Sequence, residues 1–89
     1  MLQHLNDVIE GIVLEHRIRA LVFTGYVAGY STIEEGMGIS KRIAELIEQA
    51  KKFNERVPSR QIEVSRYESG LAFLDFKLDE EYFAGMPLQ

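Results

Sequence analysis

The sequence predicts an α+β fold, with two principal helices and one mainly antiparallel sheet of two hairpins in the order α-β-β-α-β-β plus a short tail. Three observations carry that expectation. Residues 40–57, SKRIAELIEQAKKFNERV, set Ile43, Leu46, Ile47, Ala50, Phe53 and Val57 three and four apart, the period of one helix face. Residues 18–23, IRALVF, form a short continuous apolar run followed by Thr24 and Gly25, which reads as a strand and a turn. Residues 61–67 and 71–78 lie on either side of Glu68, Ser69 and Gly70, which reads as a second hairpin closed by a glycine turn.

In chain order, a first helix is expected from about Leu2 or Asn6 to His16, with Leu2, Leu5, Val8, Ile9, Ile12 and Val13 as its apolar stripe. Asp7 and Glu10 suggest a capping pair. Gly11 weakens the helix, and a strand over 11–14 competes with it. A return strand over 26–31 places Tyr26, Ala28 and Tyr30 on one face, with Gly29 at a bulge or close approach. Residues 31–40, STIEEGMGIS, read as one turn capped by Ser31 or Thr32 with Glu34 or Glu35 reaching back, then a loop. The central helix starts near Ile39 or Ser40, gains support from a Glu48 to Lys52 pair, and stops before Pro58. In the third strand Ile62 and Val64 face inward, with Glu63, Ser65 and Tyr67 outward. In the fourth, Ala72, Leu74, Phe76 and Leu78 face the core. Phe23, Phe53, Phe73 and Phe76 are all expected there. Asp79 either caps a final turn, EEYFA, closed by Gly85 and Pro87, or precedes an edge strand.

The 89 residues make a single domain, 1–89, that buries only about 60–65% of its unfolded surface, so a second copy would add stability. With no cysteine, neither a disulfide framework nor a thiolate metal site is available. Met1 is followed by Leu2, Gln3 and His4, without the pattern of a secretion signal, and no apolar run reaches the length of a membrane span. A cytoplasmic protein is expected, with no membrane partner. A net charge of -4 argues against broad nucleic-acid binding.

Chemistry is sparse. His4 and His16 lie too far apart on a continuous helix to share a metal, and no calcium loop is organised, so neither metal nor cofactor is expected. Gly36-Met37-Gly38 lacks the phosphate-binding glycine patterns. Glu34 with Glu35, and Asp79 with Glu80 and Glu81, read as solvated turn acids. Tyr26, Tyr30, Tyr67, Tyr82 and Phe83 are hard to bury together in so small a domain, which suits either an interface or a place for several of them capping the sheet.

The segments RALVFTGYVAGYS, KRIAELIEQAKKF and IEVSRYESGLAFLDF, taken in order, resemble the Roadblock family of dynein light-chain-like domains. That family continues into a fifth strand and a last helix, where this chain has Asp79 to Gln89. The resemblance implies a small noncatalytic dimer that binds or regulates a small GTPase or a motor complex, with no catalytic residues to carry over.

The functional expectation is a noncatalytic homodimeric interaction or regulatory module that also binds a protein partner. The alternatives are a small acidic inhibitor or immunity-type protein and, less favoured, a ligand-binding domain or enzyme. The expected interface pairs the strand over 61–67, through Gln61, Glu63, Val64, Ser65 and Tyr67, with its copy. That pairing brings Lys41, Glu45 and Glu48 of the central helices side by side, and leaves Tyr26, Tyr30, Tyr82 and Phe83 as exposed aromatics.

Overall fold

Where the sequence is most strongly amphipathic, the structure follows it. The computed structural model describes residues 2–29 and 32–85, and places them in three helices: α1 (Leu2–Ala28), α2 (Ile33–Arg56) and α3 (Ser65–Gly85). In α2 the expected stripe of Ile43, Leu46, Ile47, Ala50 and Phe53 is buried, together with Gly36 and Ser40. Lys41, Glu45, Glu48, Lys52 and Glu55 stay in solvent. Thr32 caps the helix: its side chain accepts the Glu35 N–H at 3.0 Å, and Glu34 and Glu35 in the first turn suit the dipole. At the other end the Val57 N–H donates to the Phe53 carbonyl at 2.7 Å, and Pro58 follows.

No strand forms among the described residues, so the α+β expectation and the Roadblock-like sheet are both overturned. The helix expected to stop at His16 runs on through IRALVF, across Thr24 and Gly25, to Ala28. It ends at Gly29, whose φ of 57° is the left-handed geometry of a helix C-cap. The glycine read as a strand bulge is therefore the helix stop. Likewise the second hairpin is the single helix α3, running through Glu68, Ser69 and Gly70 and past Asp79. The tail alternative resolves to helix as far as Gly85, and Pro87 lies outside the described residues.

Both supposed turns are helix interior, and their hydroxyls show how the helix accommodates them. Thr24 Oγ1 donates to the Ala20 carbonyl at 2.7 Å, and Ser69 Oγ to the Ser65 carbonyl at 3.2 Å. Each bond returns to the residue four before, a local arrangement that suits helix as well as turn.

Residues 61–64, expected to be part of a strand, form neither strand nor helix, and their partner is a side chain. Asn54 Nδ2 donates to the Ile62 carbonyl at 2.8 Å, while the Ile62 N–H donates to Asn54 Oδ1 at 2.6 Å. This reciprocal pair supplies what a neighbouring strand would have supplied, and seats Ile62 in the core. Gln61 Nε2 donates to the Asn54 carbonyl at 3.0 Å, closing the turn after α2.

The helices run up, down and up. Arg56 near the end of α2 meets Asp7 at 3.3 Å and Glu10 at 2.6 Å near the start of α1, so the pair expected to cap a helix lies inside α1 and reaches across to α2 instead. These are exposed pairs that add little. The core joins Leu14 and Ile18 of α1, the α2 stripe, Val57 and Ile62 of the connection, and Tyr67 and Leu74 of α3. Three helical glycines sit at close approaches. A Cβ on Gly11 would lie 3.1 Å from the Phe53 ring, one on Gly70 2.8 Å from Val22, and one on Gly25 would collide with Leu74. The core expected for the other phenylalanines is only partly formed. Phe53 is buried and Phe73 half-buried, while Phe23 and Phe76 are exposed.

Three substitutions test this packing. Leu46→Ala should cost about 2–5 kcal/mol in urea unfolding, because the side chain lies in the contact between helices. Gly25→Val should lose about 2 kcal/mol or more by overpacking Leu74. Gly38→Ala, where a Cβ meets nothing within 4 Å, should gain about 0.5–1 kcal/mol from helix propensity. Equal effects at the two glycines would show that close packing does not decide their identity.

Candidate functional site

The first helix has two apolar faces. Leu14, Ile18, Leu21 and Gly25 turn toward α2 and α3, while Leu5, Ile9, Ile12, Phe23 and Val27 lie on the opposite side, each 50–68% exposed. Val13 is also exposed and widens that outer stripe. Helical geometry puts these outer residues on one line, because spacings of three and four return to one side of a 3.6-residue turn. His16 and Ala20, both exposed, continue the line between Ile12 and Phe23.

Polar groups flank the stripe. On one side Glu15, Arg19 and Tyr67 form a closed set: Arg19 Nη2 donates to Glu15 Oε1 at 3.0 Å, Arg19 Nε to Tyr67 Oη at 3.1 Å, and Tyr67 Oη to Glu15 Oε1 at 3.2 Å. The Arg19 guanidinium is held above its ordinary value, first by Tyr67 and then by Glu15. On the other side an open groove between α1 and α2 is lined by His16, Arg17, Arg42 and Glu45 among others. Lys51 of α2 binds Glu68 of α3 at 2.7 Å, and that hydrogen bond is the first cause of its raised pKa.

A second apolar patch lies where α1 and α3 run together. The Tyr26 ring stacks on Phe73 with centroids 4.5 Å apart and planes at 17°, and Phe76 is exposed further along α3. A shallow groove beside it is lined by Val22, Phe23, Tyr26 and Tyr67 between Arg19 and Arg66.

Among the described residues, no group of three His, Cys, Asp or Glu side chains gathers to hold a metal. Among the same residues, no helix is long and apolar enough to cross a membrane. The grooves are open, and His16, Arg17, Arg42 and Glu45 offer isolated polar contacts along one of them.

The residues expected at the interface are spread over the connection and two helices. Gln61, Glu63 and Ser65 are exposed, Val64 is half-buried, and Tyr67 is a core residue at 2% exposure. Lys41, Glu45 and Glu48 share an exposed face of α2. The sheet edge meant to join these groups is absent among the described residues. Tyr26 is exposed as expected, whereas Tyr30 and the side chains of Tyr82 and Phe83 lie outside those described.

Sequence reasoning missed the outer line of α1 as a unit, having stopped the helix at His16. Its signal was available: Ile12, Phe23 and Val27 keep a helical spacing through the segment read as a hairpin. No family model, curated protein or solved structure matches this chain.

Tyr67 separates packing from polar contact. Tyr67→Phe keeps the buried ring and should lose about 1 kcal/mol or less, whereas Tyr67→Ala should lose about 3–5 kcal/mol. Equal losses in urea unfolding would place the stabilisation in the hydroxyl.

Proposed function

We propose that the protein is a noncatalytic helical interaction module that works as a homodimer through the outer face of α1. The observation that carries this reading is the line of Leu5, Ile9, Ile12, Phe23 and Val27, each half to two-thirds exposed along one helix. A helix that is apolar on both sides belongs inside an assembly, and contiguous exposed apolar patches mark interaction sites.

Charge favours a protein partner over a lipid surface. Helices that lie on membranes carry lysine and arginine on the polar face, whereas α1 balances Arg17 and Arg19 against Asp7, Glu10 and Glu15. A second copy of the chain supplies the same apolar stripe at equal concentration. The Roadblock resemblance, which implied a small-GTPase partner, rested on a sheet that the described residues do not form.

Light scattering across a dilution series tests the reading. The wild-type mass should approach twice 10.2 kDa at high micromolar concentration. Ile12→Glu and Phe23→Glu should return it to one chain without loss of helical content, since both positions face outward. A wild-type protein that stays at one-chain mass throughout overturns the proposal.

A further inference from the structure

The outer line of α1 reads the same from either end. Its positions are Leu5, Ile9, Ile12, His16, Ala20, Phe23 and Val27, with spacings of four, three, four, four, three and four centred on His16. From this geometry, and resting on the dimeric reading above, we infer that two copies pair antiparallel along α1, with His16 facing its own copy across the two-fold axis.

The pattern contains two consecutive eleven-residue steps, 5 to 16 and 16 to 27. Such a repeat has about 3.67 residues per turn, close to the natural 3.6, so the line stays nearly straight along the helix. Two such lines can meet over their full length of roughly 33 Å without strong supercoiling.

Antiparallel pairing about His16 also levels the volumes. Ile9 opposes Phe23 of the second copy, Leu5 opposes Val27, and Ile12 opposes Ala20. A large residue meets a smaller one at each of these levels, as a dense interface requires. A parallel, in-register pair instead sets Phe23 against Phe23 and leaves Ala20 facing Ala20, giving a crowded level beside an empty one. Opposed helix dipoles favour the antiparallel arrangement as well.

Charge does not separate the two arrangements: the antiparallel pair sets Arg19 within about 3 Å along the axis of Glu15 of the second copy, but it also sets Arg17 beside Arg17 and Glu15 beside Glu15 at the same spacing. The available area suits a specific pair. The exposed portions of Leu5, Ile9, Ile12, Val13, Phe23 and Val27 amount to on the order of 600 Å² per copy, so the pair clears the roughly 1,000 Å² total expected of a specific interface. His16 is the one polar residue on the line, and a lone polar residue in an apolar seam fixes register at some cost in stability.

The chain has no cysteine, so introduced cysteines report pairing directly. Under mild oxidation His16→Cys should form a disulfide-linked dimer. Ile9→Cys and Phe23→Cys should each fail alone, because each residue lies about 21 Å along the axis from its own copy. Mixing those two variants should give at least about tenfold more cross-linked product than either alone. Efficient cross-linking of Ile9→Cys by itself identifies a parallel pair and overturns the inference, as does the absence of all these cross-links in a protein of dimer mass. In both cases the homodimeric reading survives. A monomeric mass removes both.

Discussion

The close approach of α1 and α3 depends on an exchange between two glycines. Gly25 of α1 leaves room for Leu74 of α3, and Gly70 of α3 leaves room for Val22 of α1. Each glycine weakens its own helix by about 1 kcal/mol relative to alanine. Burying Leu74, which is 1% exposed, returns about 1.5–3 kcal/mol by itself, and the same approach brings Tyr67 into the core beside Glu15 and Arg19. Without space at these positions α3 would stand away from α1, leaving a gap where interiors are close-packed.

That exchange fixes which side of α1 is used within the chain. Leu14, Ile18, Leu21 and Gly25 are committed to α2 and α3, so Ile9, Ile12, Phe23 and Val27 point outward. The contrast with α2 shows that the outer face is not a general property of this chain. The outer side of α2 carries Lys41, Glu45, Glu48, Lys52 and Glu55, as expected for a solvated helix.

The sequence made α2 legible because its two sides differ. Its stripe and the stop before Pro58 could be read from residue spacing and type, but its start could not: the helix expected from Ile39 or Ser40 begins at Ile33 after the Thr32 cap and runs through Gly36 and Gly38, where a turn and a loop were expected. In α1 and α3 apolar residues occur on several sides, which blurs the helical period, and the same residues in IRALVF and LAFLDF satisfy a strand reading. Gly25 and Gly70 then looked like turn residues, although they serve helix packing, and that need arises only from residues 49 and 48 positions away, Leu74 and Val22. The start of α3 was hidden as well. The Val64 carbonyl accepts from the Tyr67 and Glu68 N–H groups, but the valine side chain offers no capping signal. The exposed Tyr26 was legible, whereas the outer line of α1 became visible only once the helix was known to continue past His16.

The two-faced character of α1 links folding to association. A bundle of this size buries a modest fraction of its surface, and half of its longest helix contributes nothing apolar to the core from its outer side. If a second copy covers that side, α1 becomes an inner helix, with its own α2 and α3 behind it and the partner's α1 in front. Stability then rises with protein concentration, because a partner that binds only the folded chain shifts the folding equilibrium by mass action. The same geometry separates two kinds of substitution. A change at Gly25 or Leu74 acts on the fold first and on association through it, whereas a change at Ile12 or Phe23 acts on association while leaving the interior contacts of the single chain in place.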